Sequence, residues 1–218
     1  VKAKETGPNA LGSAFSGIID KLPRPSYLPT NTVLNLYDKD NDIRYNAYFT
    51  YDSIDAQTVP DFMITYCKKW PGNPELYEGK SNNINKTKAF RISEMYLIAA
   101  EAYAMSGDET NASAMLNKLK TARVKGWSDK SYKGDALIKE IQDEYVRELF
   151  GEQPYFFDLK RWKKGLNRSS SEAQDISYLP ALGTDMVKPA DDHMWVWPIP
   201  KDEIDANPQI KGQQNAGY

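Results

Sequence analysis

The strongest constraint in this sequence is a run of helical apolar spacing from Lys88 to Gly165, interrupted at Gly107 and Gly151. Ile92, Tyr96, Ala99, Ala100 and Tyr103 recur at the three-and-four spacing that lines one helix face, and Gly107 follows them. Asp108 offers a side-chain oxygen to cap a second helix, whose apolar face reads Ala112, Met115, Leu116, Leu119 and Ala122. Gly126 and Gly134 bracket a loop containing Trp127 and Tyr132. Asp135 is placed to cap a third helix, with Leu137, Ile138, Ile141, Tyr145 and Leu149 inside and Gly151 at its end. Pro154 suits the first turn of a fourth, which carries Tyr155, Phe156, Leu159 and Trp162, and Gly165 suits its C-terminal cap.

The run therefore reads as two helix–Gly–helix units, their glycines 44 residues apart. Ala99, Ala100, Ala102 and Ala104 let helices approach closely. That is the logic of tetratricopeptide-type hairpins, stretched beyond their usual period of about 34, and such stacks need roughly three repeats for stability. The first 88 residues are different. Prolines at 23, 25, 29, 60, 71 and 74 interrupt them, and the aromatic run from Tyr45 to Tyr51 reads as brief strands or packed loops. So long a structureless stretch is unusual inside a compact domain. Its apolar content argues against disorder, so the expectation is that it packs on chain outside this sequence. In the tail, the X-Pro steps of Trp195-Val196-Trp197-Pro198-Ile199-Pro200 disfavour helix. The predicted architecture is mainly α. It has a loop-rich region over 1–88, two tetratricopeptide-like hairpins over 89–165, an extended tail over 166–218 packing on the helices, and few short strands.

Function classes narrow by exclusion. Twenty-eight basic and thirty acidic residues leave a net charge of -2, so nothing supports nucleic-acid binding by phosphate neutralisation. The single cysteine, Cys67, forbids an internal disulfide and reads as a small buried apolar residue. With one Cys and one His, metal-ligand spacing is absent; no cofactor-binding glycine loop and no Gly-x-Ser-x-Gly elbow occurs. Glu140, Glu144, Glu148 and Glu152 recur every four residues. Paired carboxylates can serve acid–base chemistry, but a like-charged stripe needs cations beside it. Arg91, Arg123, Arg147 and Arg161 are the expected partners, in a structural network and not a catalytic one. Most of the aromatic side chains are expected in the core, but the surplus leaves some for a ligand surface. Tyr45, Tyr48, Tyr66, Trp70 and Tyr77 form one candidate group, with Tyr45, Tyr66, Trp70 and Tyr77 foremost. Trp127 and Tyr132 form a second. Trp162, Trp195 and Trp197 are assigned to core or helix packing.

Several segments together resemble the SusD/RagB family. Arg91 to Tyr103 is similar to its R-x-x-E-x-Y-L-x-x-A-E-A helix, and Ala114 to Arg123 to its A-x-x-x-L-N-x-(I/V/L)-R-x-R helix. Arg147-Glu148-Leu149, Glu152 and Asp158-Leu159-Lys160-Arg161-Trp162 resemble E-R-x-x-E-L-x-x-E-G-x-R-x-x-D-L-x-R-W. Trp197 to Glu203, Asn207-Pro208 and Gln214 to Tyr218 look like the family's terminal segments, and Asp42-Ile43-Arg44 and Lys69-Trp70-Pro71-Gly72 fit its middle. Two family arginines read Tyr145 and Tyr155 here, and the expectation is that these tyrosines replace a buried ion-pair arrangement. The resemblance implies the C-terminal part of a longer protein, whose N-terminal half carries a signal peptide, a lipidated cysteine and two further helical repeats. It implies a surface-exposed outer-membrane lipoprotein of Bacteroidota-type bacteria. Such a protein captures oligosaccharide, without catalysis, and delivers it to a SusC-type TonB-dependent transporter. Its membrane contact is through the lipid anchor alone. A peptide-binding or ligand-free scaffold subunit is the alternative, and a glycoside hydrolase fragment using the glutamate stripe is a third.

Overall fold

In a computed structural model, residues 18–19, 22–23, 28–54, 62–70, 88, 90–152, 155–169, 174 and 187–218 are described. A minimal antiparallel pair comes first, β1 (Ile18–Ile19) with β2 (Leu22–Pro23). Two short helices follow, each with a side-chain cap of the expected chemistry. The Thr30 hydroxyl accepts from Val33 N at 3.3 Å at the start of α1 (Asn31–Leu34), and Asp42 accepts from Arg44 N at 2.9 Å at the start of α2 (Ile43–Tyr48). The aromatic run from Tyr45 to Tyr51 thus divides. It is helix to Tyr48, then strand β3 (Phe49–Ile54), which pairs antiparallel with β4 (Phe62–Cys67). Leu34, Tyr37, Phe49 and Cys67 form a small core there. Phe49 meets the rings of Tyr37 and Phe150 edge-on, at 5.4 and 5.0 Å. Cys67 is fully buried, as expected, and burial pushes its thiol up to about 11.

The helical layer is α3 (Ile92–Met105), α4 (Glu109–Thr121) and α5 (Gly134–Leu149), with α3 and α4 forming a hairpin and α5 packing on both. Gly107, at φ +85°, allows the reversal between α3 and α4. The N–H groups of Asp108 and Gly107 return to the carbonyls of Tyr103 and Ala104, closing the helix end with a paired left-handed cap. Asp108 caps α4 by accepting from Asn111 N at 3.0 Å. Asp135 does not cap α5: the helix begins one residue earlier, and Gly134 N donates instead to Glu109 Oε1 at 2.7 Å.

The buried faces of α4 and α5 largely follow the apolar spacing. Ala112, Leu116 and Leu119 are buried on α4, and Leu137, Ile141, Tyr145 and Leu149 on α5, although Ala122 is exposed. On α3 the inward stripe is Ser93, Leu97 and Ala100. Ile92 is 73% exposed, and Tyr103, Met95, Ile98 and Met105 are exposed with it. This helix is apolar on nearly every side, so periodicity alone could not distinguish its two faces.

The chain divides into two compact units, Val1–Glu152 and Gln153–Tyr218. The second holds α6 (Tyr155–Arg161), the two-residue pair β5 (Leu166–Asn167) and β6 (Val187–Lys188), α7 (Lys201–Ala206), and two 3-10 turns at His193–Trp195 and Pro208–Gln213. The tail is thus less extended than its prolines imply, because Pro200 and Pro208 each stand at the start of a helical turn, where a missing N–H costs nothing. The residue that ends α6 in the left-handed region is Lys163 (φ +52°), not Gly165. Gly165 serves another purpose. A Cβ there would lie 2.5 Å from the Lys188 carbonyl oxygen, so glycine is what lets the start of β5 approach β6. Trp195 is buried against Phe156, ring centroids 5.2 Å apart, and donates to Pro189 O at 2.6 Å. Trp197, expected to pack, is 78% exposed. The 3-10 turn before it breaks the two-residue alternation that would have turned both tryptophans inward. The chain end is held by the Gln214 amide, which accepts from Ile199 N at 2.8 Å and donates to Ile199 O at 3.1 Å. Among the described residues no helix is long and apolar enough to cross a membrane.

Candidate functional site

The glutamate stripe is enclosed, and it organises the wall against which the candidate site is built. Glu144 and Glu148 have no solvent exposure. Glu144 accepts from Arg44 at 2.7 Å, Arg147 at 2.7 Å and Lys120 at 3.1 Å. Glu148 accepts from Arg91 at 2.7 Å, Arg123 at 2.8 Å and Arg44 at 2.9 Å. Glu140 is shared by Lys120 and Arg147, and Glu152 by Lys69 and Arg91. Burial by itself would raise the Glu144 carboxyl, but Arg147, Arg44 and Lys120 outweigh it and hold it well below the usual range. The balance at Glu148 has the same sign, with hydrogen bonds from Arg123 and the charge of Arg44 overcoming burial.

Of the four expected partners, Arg91, Arg123 and Arg147 serve. Arg161 instead pairs with Asp158 at 2.8 Å in the second unit. The cations that spacing did not reveal are Arg44, Lys69 and Lys120. Arg44 lies on α2, a hundred residues from Glu144, and is oriented by Asp42 through two bonds of 2.9 and 2.7 Å. Nothing in helical periodicity encodes a pairing at that separation. The two tyrosines do not replace the ion pairs as expected. Tyr145 is buried, but Tyr155 is 42% exposed, and arginines elsewhere supply the charge. Glu144 and Glu148 are fully enclosed and Glu140 alone of the stripe lines a cleft, so the stripe does not present the pair of open carboxylates that a hydrolase using it would require.

A cleft of about 500 Å³ opens beside this network. Its floor is Lys120, Glu140 and Arg147; one wall is the segment from Leu36 to Asp42, and the other is the loop from Val124 to Tyr132. The loop is ordered by two polar residues one turn apart on α4. Buried Asn117 donates to Lys130 O at 2.9 Å and accepts from Lys130 N at 3.1 Å and Trp127 Nε1 at 3.2 Å. Ser113 Oγ accepts from Tyr132 N at 3.0 Å. Ile43 N donates to Arg123 O, and Lys125 N to Asn41 O, tying the two walls together. The Trp127 ring carries ammonium groups at 4.8 Å (Lys120) and 4.6 Å (Lys130) from its centroid. Desolvation pushes the Tyr132 hydroxyl up to about 12. One indole, one phenol, an amide and charges of both signs thus line one concave surface.

The first aromatic group is placed differently. Tyr45 and Trp70 are half-buried against the small core, with Tyr48 beside them. Tyr48 donates to Glu148 O at 3.4 Å, and Lys69 lies 4.0 Å from its ring centroid. Tyr66 is half-buried on β4 opposite Thr50. Trp70 Nε1 is buried without a hydrogen-bond partner among the described residues. Tyr77 lies outside the described residues. The structure therefore gathers Tyr45, Tyr48 and Trp70 around one core, while Trp127 and Tyr132 line the cleft. A smaller apolar cavity of about 280 Å³ lies in the second unit, bounded by Tyr155, Phe156, Leu159, Leu166, Met194 and Trp195 among others.

Known proteins resemble this chain in sequence and in fold. Residues 44–218 match the model of the SusD family. The SusD-like protein P25 of Formosa agariphila is 26% identical over 222 residues, a match covering 98% of this chain and 36% of that protein. A solved SusD superfamily protein from Bacteroides thetaiotaomicron is 26% identical with a TM-score of 0.63, covering 85% of this chain and 40% of that one. A Bacteroides vulgatus structure provisionally named as sugar binding is 25% identical with a TM-score of 0.66, covering 97% of this chain and 43% of that one. The chain thus spans less than half the length of each of these relatives.

Proposed function

This chain belongs to the SusD family, and from that premise we propose that it captures carbohydrate in the cleft beside Trp127, without changing it covalently. The observation that carries this reading is the construction of the cleft. Asn117 and Ser113 hold Trp127 and Tyr132 in a fixed loop over a floor of buried, mutually paired charges. A fixed indole offers a platform to a sugar's C–H face at little entropic cost. Asn41 and Ser128 at the margin supply hydroxyl partners. The sugar-binding name of the Bacteroides vulgatus relative supports the same ligand class.

In the longer protein that the relatives' length implies, capture serves hand-off to a SusC-type TonB-dependent transporter at the outer membrane, with a lipid anchor in the part beyond this chain. Recovery of such a transporter with the full-length protein from native membranes tests that extension. The capture reading itself is tested by titrating the full chain with a panel of oligosaccharides, beside Trp127→Ala and Trp70→Ala. Loss of about 1–3 kcal/mol on removing a stacking ring is expected for Trp127→Ala. If only Trp70→Ala weakens binding, the site lies instead with the first aromatic group, around Trp70.

A further inference from the structure

We infer that the Trp127 cleft selects an acidic sugar, one carrying a carboxylate or sulfate; the inference rests on the carbohydrate reading of that cleft and names its ligand class. The charges that line the cleft differ in whether they already have partners. Three carboxylates line the cleft, and each takes its donors from within the protein. Glu140 is held by Lys120 and Arg147. Asp42 is held by Arg44 through two hydrogen bonds. Asp38 accepts from the Asn41 side chain at 2.9 Å and from two backbone N–H groups at 3.2 Å.

The cations lining the same cleft are not balanced in this way. Lys120 and Arg147 belong to the buried network, but Lys125 and Lys130 are exposed at the mouth and have no carboxylate partner among the described residues. Lys130 holds its ammonium 4.6 Å from the Trp127 centroid. Asp38 keeps its own charge because its donors are neutral, so two exposed lysines against one exposed carboxylate leave the cleft positive, on a chain whose net charge is -2. A neutral sugar would leave the Lys130 ammonium beside the indole without a counter-charge. An anionic substituent beside a ring resting on Trp127 would meet it at short range, where charge-assisted hydrogen bonds are strongest.

The test titrates the full chain with cellotriose, with trigalacturonate and with a sulfated carrageenan tetrasaccharide, by calorimetry at about 0.02 M and about 0.5 M salt. At least one acidic oligosaccharide is expected to bind about tenfold tighter than cellotriose at low salt, and the margin is expected to shrink at high salt as screening shortens the reach of the lysines. The double variant Lys125→Gln/Lys130→Gln changes only exposed side chains, and it is expected to erase the preference. Equal affinity for acidic and neutral sugars, or a preference that survives the double variant, overturns the acidic-sugar inference and leaves carbohydrate capture standing. Binding of every sugar undiminished in Trp127→Ala, or no binding of any, overturns the assignment of the cleft itself.

Discussion

Replacing Arg44 with methionine would leave Glu144 and Glu148 each short of one cation in an interior from which water is excluded. Removing one partner from a buried ion pair costs about 3–5 kcal/mol, because the stranded charge keeps its desolvation penalty. Denaturant unfolding of Arg44→Met is expected to show a loss of that size, and a loss below about 1 kcal/mol, typical of exposed pairs, would count against the network's importance. The residue scale is also where the sequence was least readable. The glutamates declared their need for cations through their spacing, and three arginines were correctly matched to them. Arg44 was not, since its pairing depends on how α2 folds back on α5. Trp197 misled for a related reason. Its type and neighbours are those of a core residue, and only the turn at His193–Trp195 sets it outward.

Among the elements, α4 and α5 were legible because each mixes apolar and charged residues, so burial had one solution. On α3, with apolar side chains all round, the choice of inner face was made by the helices packed against it. A pair of substitutions one residue apart separates the two faces. Leu97→Ala, at a site with no exposure, is expected to cost about 2–5 kcal/mol. Ile98→Gln, on the outward side, is expected to stay within about 0.5 kcal/mol of the parent. Thermal melts of the two variants check this directly, and similar losses at both would mean that the outward face is also packed. The loop that shapes the cleft was legible as a glycine-bracketed segment carrying Trp127 and Tyr132, but not in how it is held. Its order comes from Ser113 and Asn117, polar residues on a buried helix face, and a polar residue at a buried position is the signal that a search for apolar stripes discards.

Across the whole molecule, the enclosed carboxyls make stability depend on acidity. Glu144 and Glu148 hold their protons less tightly when folded than when unfolded. Their contribution is therefore complete above the ordinary glutamate value of about 4.3, and it is lost as pH falls from there toward the folded values. Urea unfolding between about pH 6 and pH 3 is expected to show stability falling with acidification, with a shallower fall in Glu148→Gln. An unchanged slope in that variant would assign the acid sensitivity to other groups. The broad fold class, mainly α with few short strands, was readable from periodicity and from the family's motifs. The pairing of β3 with β4 was not, because neither strand carries a clear two-residue alternation. The network also bears on how this protein can be dissected. Arg44 of α2, Lys69 just past β4 and Arg91 just before α3 help complete a charge cluster whose carboxylates lie on and just beyond α5. A helical block of residues 90–152 excised as a minimal repeat would carry Glu144 and Glu148 away from Arg44, and Glu152 away from Lys69. Grafting these helices onto another scaffold as a portable module would therefore transplant a charge deficit along with the fold.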